Sequence, residues 1–210
     1  MKSSKSDRCG SIKEASKWLY FILAGLAIGK GIEPIVGYWT GNVIDFLSYV
    51  FLYIGFLLTL IRFSFGFMGS IYENIKKGKS EYFNPLIADL HFYVVNGICL
   101  IVIASNIGRI RWFVFWFIMM LLVDLLWVAY DHFYSKEINI FGKNKQDRAK
   151  KQYLISDICF FLLLLIVFLV TFLINEPDLR LTFSVLFLLV SVGFAFWDYY
   201  INRSYYELLG

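Results

Sequence analysis

Charged side chains are scarce in this chain: only 17% of the 210 residues are Asp, Glu, Lys or Arg, whereas 59% are hydrophobic and 20% aromatic. Soluble domains have about 45–50% apolar and about 25% charged residues. A chain with so few charges cannot cover a water-soluble domain of this size with polar surface. The composition therefore excludes an ordinary soluble enzyme and predicts a single helical membrane domain.

Cysteine and histidine are also few, at three and two residues. Cys9, Cys99 and Cys159 are odd in number and have no CxxC spacing, which argues against a disulfide framework and a thiolate metal site. His91 and His132 lack the HExxH spacing of a zinc enzyme, and no GxSxG elbow, P-loop or dinucleotide-binding glycine motif is present. We therefore expect no enzyme, no cofactor and no metal site. A lipid-modifying enzyme that uses acidic residues at the helix ends is the weaker alternative.

Long apolar stretches recur along the chain, each near the roughly 20 residues that a helix needs to cross a bilayer. They predict an all-α integral membrane bundle of about six transmembrane helices. The predicted spans are residues 18–39, 43–72, 90–108, 112–130, 153–174 and 181–200. The first span is the least regular, because Lys30, Glu33 and Pro34 interrupt it. A basic start followed by a short apolar run also fits a cleaved signal peptide, which would leave five spans.

The Lys and Arg residues between the spans are distributed unevenly. Fifteen lie on the side of the N-terminus, against Arg109, Arg111 and Arg180 on the other. Because cytoplasmic loops carry the excess of cations, we expect both termini in the cytoplasm of a multi-pass protein. The predicted cytoplasmic parts are residues 1–17, a basic loop at 135–152, and a tail at 201–210. The charge of +4 thus reflects topology, and no nucleic-acid binding is expected. The abundance of Phe, Ile, Tyr, Lys and Asn indicates an A- and T-rich gene and hence a bacterial inner membrane.

The three predicted hairpins begin in a similar way. An Ile-x-acid motif precedes aromatic residues at Ile12-x-Glu14, Ile87-x-Asp89 and Ile155-x-Asp157. This pattern predicts either a three-hairpin internal repeat or only the usual placement of aromatic and charged residues at a membrane interface. The acidic residues at the inner helix ends are interpreted as charge balance for the basic loops; they are Glu73, Asp89, Asp131, Asp157 and Asp198.

Five polar residues are singled out for their depth within the predicted spans: Lys30, Glu33, Arg62, Asn96 and Asp124. A charge at membrane depth costs about 2.5–3.5 kcal/mol by insertion scales, so such residues usually face the bundle interior and find partners. Their depths predict an ion pair between Arg62 and Glu33 and a hydrogen bond between Asn96 and Asp124. These residues form either a polar track for ions or solutes, or interhelical contacts that only hold the bundle together, with Lys30 reaching outward.

Glycines in the first span allow two further interpretations. Gly25-x-x-x-Gly29 matches the GxxxG pattern of helix association in membranes. Alternatively, Gly29-Lys30-Gly31 together with Pro34 could interrupt the helix at depth, as in transporter sites.

The favoured function is a non-enzymatic, channel-like or transporter-like protein, including an effector that breaches a membrane. It is expected to be a homo-oligomer that contacts membrane lipids. The alternative is a membrane-embedded sensor or scaffold, for example of a bacterial phage-defence (antiviral) system, that recruits a cytosolic partner. Its basic inner loop would bind that partner or anionic lipid through Lys143, Lys145, Arg148, Lys150 and Lys151.

Overall fold

A computed structural model of the chain describes residues 3–38, 42–76, 83–130, 145–173 and 176–206. Within these ranges the fold contains six helices and no strand, which confirms the predicted all-α class. The helices are α1 (Ser3–Tyr38), α2 (Val43–Lys76), α3 (Phe83–Ser105), α4 (Ile110–Tyr130), α5 (Lys145–Val170) and α6 (Glu176–Tyr206).

Four of the helices are long and apolar enough to cross a membrane, namely α1, α2, α4 and α6. Their apolar segments are Trp18–Gly37, Val43–Ser64, Ile110–Tyr130 and Arg180–Tyr200. The apolar segments of α3 and α5 are shorter, Leu90–Ser105 and Leu154–Val170. Several helices of this protein are therefore apolar enough to be transmembrane.

Several helices continue past the predicted spans on the side of the basic loops. Helix α1 begins at Ser3, α5 begins at Lys145 and α6 ends at Tyr206. Helix α1 also passes through Pro34 without a break, so the alternative of an interrupted first span is wrong.

Two local hydrogen-bonded features define helix ends on the side away from the basic loops. The side-chain Oδ1 of Asn42 accepts a hydrogen bond from the backbone N–H of Ile44 at 3.0 Å, which caps the start of α2. Helices α3 and α4 are joined by a tight turn in which the N–H of Arg109 donates to the carbonyl of Asn106 at 2.8 Å. This turn lies where the sequence predicts one, beside Arg109.

The helices form a closed ring in the order α1, α3, α4, α5, α6, α2. The most extensive packing is between α1 and α3 and between α2 and α6, so the two most closely packed pairs join helices of different predicted hairpins. Helix α4 contributes buried residues along its whole length. An aromatic cluster, made of Phe113, Phe117, Phe160 and Phe187, fills the space between α4, α5 and α6 with ring centroids 5.2–6.3 Å apart.

Glycine allows α2 to approach α6 closely. A Cβ on Gly55 would lie 2.7 Å from the ring of Phe187, closer than real side-chain carbons come. The ring of Phe187 occupies the space that a side chain would fill. Helix α2 can therefore pack this closely against the aromatic cluster only because residue 55 is glycine.

Large apolar side chains also point outward on all six helices. Examples are Trp18, Ile54, Ile98, Leu126, Ile166 and Leu189, each between 41% and 61% exposed. In water such a surface would drive aggregation, whereas lipid chains solvate it.

Candidate functional site

Arg62 of α2 lies in the bundle interior and holds two acidic residues from other helices. Its Nη2 donates to Oδ1 of Asp157 at 2.8 Å and to Oγ of Ser156 at 3.0 Å, both on α5. Its Nε lies 3.7 Å from Oδ2 of Asp198 on α6. The three charged side chains are between 1% and 5% exposed. This ion cluster joins α2, α5 and α6 out of contact with solvent.

The predicted pairing of Arg62 with Glu33 is wrong. Glu33 instead accepts hydrogen bonds from Nζ of Lys30 at 2.8 and 3.0 Å, on an exposed face of α1. The physical reason is depth: Tyr20 of α1 lies level with Ser64 of α2, so Glu33, thirteen residues farther along α1, lies about 20 Å beyond that level. The interpretation of Asp157 and Asp198 as charge balance for the loops is also wrong, since both are buried against Arg62.

The predicted hydrogen bond between Asn96 and Asp124 is confirmed. Nδ2 of Asn96 on α3 donates to Oδ1 of Asp124 on α4 at 2.5 Å, and Asp124 is 7% exposed. Asp124 also interacts electrostatically with Asp157 and Arg62. The two helices meet at this depth because the tight turn between them places them side by side. The Asn96–Asp124 pair therefore lies within electrostatic range of the ion cluster of Arg62.

Helix α1 also contributes one residue to these buried polar contacts. The hydroxyl of Tyr20 is 3.3 Å from Oγ of Ser64 on α2, and Tyr20 interacts electrostatically with Asp124. All six helices therefore contribute to one buried polar layer. We define this polar layer as Tyr20, Arg62, Asn96, Asp124, Asp157 and Asp198.

The polar layer contains three carboxyl groups but one guanidinium. Two buried oxygens in it, Oδ2 of Asp157 and Oδ1 of Asn96, have no hydrogen-bond donor among the described residues. Both are acceptors, and the layer has one guanidinium for three carboxyl groups, so what it lacks is positive charge. The described residues contain no group of three or more His, Cys, Asp or Glu side chains placed to hold one metal ion.

The layer lies in the half of the bundle nearer the basic loops. Asn96 is seven residues after Asp89 on α3, and Asp124 is six residues before Tyr130, the last residue of α4, which is about 9–10 Å of helix in each case. The aromatic cluster lies on the other side of the layer. Phe117 precedes Asp124 by seven residues and Phe160 follows Asp157 by three, which places both rings farther from the basic loops.

The remaining predicted residues are placed apart from the layer or fall outside the described parts. Lys30 and Glu33 form an exposed ion pair on α1. Lys143 of the basic loop lies outside the described residues, as do Asp131 and His132. Lys145, Arg148 and Lys150 belong to the first turns of α5 but their side chains, like those of Glu73 and Asp89, are not among those described; Lys151 is exposed. Cys99 and Cys159 are free thiols.

Sequence reasoning missed Asp157, Asp198 and Ser156 as members of the site. A usable signal exists, because Asp198 is flanked by Trp197 and Tyr199, and Asp157 lies within the apolar stretch that begins at Leu154. Both acids are therefore inside apolar stretches, as Asp124 is. No family model, curated protein or solved structure is similar enough to this chain to count as a match.

Proposed function

We propose that this protein is a channel-like or transporter-like membrane protein of six spans that moves protons or a monovalent cation through its polar layer. The observation that carries the proposal is the excess of buried carboxyl groups, with Asp124, Asp157 and Asp198 against Arg62 as the charged members of the layer. The outward apolar side chains on every helix, including α3 and α5, support six spans.

The charge of the layer is the physical argument. In a low-dielectric interior an uncompensated charge costs several kcal/mol, and one guanidinium can balance only one of three carboxylates. The remaining negative charge attracts a positive species. The orphaned acceptors on Asp157 and Asn96 offer that species oxygen ligands or a hydrogen-bond acceptor. Since no three acidic or His and Cys groups among the described residues converge on one point, a proton or a monovalent cation fits better than a divalent metal.

The aromatic cluster fits a gate on the route. Its four rings pack edge to face, tilted or stacked between α4, α5 and α6, and Phe113, Phe117 and Phe160 are fully buried or nearly so. Hydrophobic constrictions of this kind stop ion flow by excluding water. The structure then corresponds to a closed state, in which the polar layer is separated from the outer side by packed rings.

The test is flux through purified protein in liposomes, followed with a pH-sensitive dye and with K⁺ or Na⁺ gradients. Asp124→Asn and Asp157→Asn keep the shape of the side chains but remove the charge, so we expect flux to be lost or to change its ion preference. Glu14→Gln is the control, because Glu14 is an exposed carboxyl on α1 that does not belong to the layer. Melting temperatures of all variants separate lost transport from lost folding. Unchanged flux in both Asn variants, or an inert wild-type protein, would contradict the proposal.

One observation favours a second function, a sensor or scaffold. Helix α5 begins at Lys145, so Lys145, Arg148, Lys150 and Lys151 lie on the first two turns of a helix that leads into the membrane. Cations next to a span attract anionic lipid at about 1 kcal/mol each and can also dock an acidic partner. Replacing these four and Lys143 by Gln should leave liposome flux intact if the protein is a channel. Loss of cellular activity with no flux in any variant would instead support the recruiting role.

A further inference from the structure

The outward face of α1 carries two glycines that the bundle does not use. A Cβ on Gly25 or Gly29 would meet no atom within 4 Å. The opposite face of α1 does the internal packing: Tyr20, Ala24 and Ala27 are buried, and Gly31 lies against the ring of Tyr53. The GxxxG pattern of Gly25 and Gly29 therefore plays no part in the contacts among the described residues of one copy.

The exposed residues of this face fall into two adjacent rows at helical spacing. One row is a shallow groove of Gly25, Gly29 and then Glu33, each four residues apart. The other is a ridge of Ile22, Leu26 and Lys30 with the same spacing, in which Ile22 and Leu26 are 58% and 54% exposed. Residues four apart lie in one row on a helix surface, and such rows interlock with those of a second helix. Together these six residues form the α1 face.

The α1 face ends in an ion pair that lipid cannot solvate. Nζ of Lys30 lies 2.8 Å from Oε1 of Glu33, yet the two side chains are 50% and 62% exposed. Lys30 is twelve residues beyond Trp18, about 18 Å along an apolar segment that continues to Gly37. Charges at membrane depth rarely face lipid chains and usually contact protein. The pair therefore points to a polar partner on this side of the helix.

We propose that a second copy of the chain covers the α1 face and forms a two-fold dimer. In a two-fold contact the same surface meets itself, so each ridge of Ile22 and Leu26 would enter the glycine groove of the other copy. The same operation brings Lys30 of each copy towards Glu33 of the other. Because Lys30 and Glu33 carry opposite charges about one turn apart, two copies of this face attract each other under this symmetry. This charge complementarity identifies a second copy as the partner that covers the α1 face. The proposal is independent of ion transport.

The first experiment counts subunits in nanodiscs or at high lipid-to-protein ratio by single-molecule photobleaching. Gly25→Ile combined with Gly29→Ile fills the groove without touching the rest of the bundle, so we expect the dimer to be lost while the melting temperature is kept. Gly193→Ile is the matched control, because Gly193 on α6 is also open, and it should leave the dimer intact. A monomeric wild-type protein, a persistent dimer in the double variant, or equal loss in the control would overturn the proposal.

The second experiment uses charge reversal and does not depend on the glycines. Lys30→Glu alone and Glu33→Lys alone each place like charges across the two-fold contact, so each variant by itself should dissociate. Mixing the two variants, labelled in different colours, should give mixed dimers and restore wild-type association. Combining both changes in one chain should restore the homodimer. If neither single variant dissociates, or if mixing restores nothing, the ion pair does not bridge two copies and the proposed contact is wrong.

Discussion

Replacing Arg62 by Leu should destabilise the fold more than any other single change in the polar layer. The guanidinium is 4% exposed and holds Asp157 at 2.8 Å and Asp198 at 3.7 Å. Removing one partner of a buried ion pair costs about 3–5 kcal/mol, because the remaining charge is left unpaired in a low dielectric. Arg62→Leu leaves two such carboxylates. We therefore expect a loss at the upper end of this range.

The geometry also predicts an order among related variants. Asp157→Leu should cost less than Arg62→Leu, because the guanidinium keeps Asp198 as its partner. Combining the two should show a coupling of about 0.5–3 kcal/mol, the usual range for residues in direct contact. Glu33→Leu should show no coupling to Arg62→Leu, since Glu33 is paired with Lys30 on the exposed side of α1. Additive effects are expected for groups that share no partner.

The assay is a double-mutant cycle on the free energy of unfolding, measured by denaturant titration of the purified protein in detergent micelles. The Arg62–Asp157 and Arg62–Glu33 cycles are measured under the same conditions. A wild-type stability for Arg62→Leu would show that the ion cluster is not formed. Strong coupling to Glu33 and none to Asp157 would show that Glu33 reaches the level of Arg62, in conflict with the contact that places Tyr20 level with Ser64.

Two further results are expected. Gly55→Ala should lower the free energy of unfolding by about 1–3 kcal/mol in the same titration, because its Cβ would lie 2.7 Å from the ring of Phe187. Gly193→Ala is the control: Gly193 has open space around it, so the change should be neutral or stabilising by up to about 1 kcal/mol. Equal effects of the two variants would refute the close approach of α2 and α6. The orientation is tested in a background without the three native cysteines. Lys151→Cys and Arg109→Cys are both at exposed positions, so a membrane-impermeant thiol reagent should modify the first only from the cytoplasm and the second only from outside. The reverse pattern would refute the predicted orientation.

The sequence predicts the part of the polar layer that is formed by helices adjacent in the chain. Asn96 and Asp124 belong to helices joined by a tight turn, so equal distances from the shared end place the two side chains level, and their hydrogen bond is as expected. Arg62 and Asp157 are 95 residues apart, and depth alone allows Arg62 to meet an acid on any neighbouring helix. The choice between Glu33 and Asp157 depends on the level of each helix relative to its neighbours and on their order around the ring. Hydrophobic patterning encodes neither, since lipid leaves every face of a span apolar.

The two sets of charges in the bundle obey different physical requirements, and this separates their roles. The polar layer has three carboxyl groups and one guanidinium in the interior, so a carboxylate that Arg62 does not balance needs a proton, a cation or a rearrangement to neutralise it. The Lys30–Glu33 pair has no net charge but faces outward. It therefore needs a polar neighbour in place of lipid, and it needs no additional counter-charge. Helix α1 supplies Tyr20 to the layer and no charged group. A dimer through the α1 face therefore leaves the layer of each copy intact, and variants that dissociate the dimer should keep their flux per copy if each bundle conducts by itself.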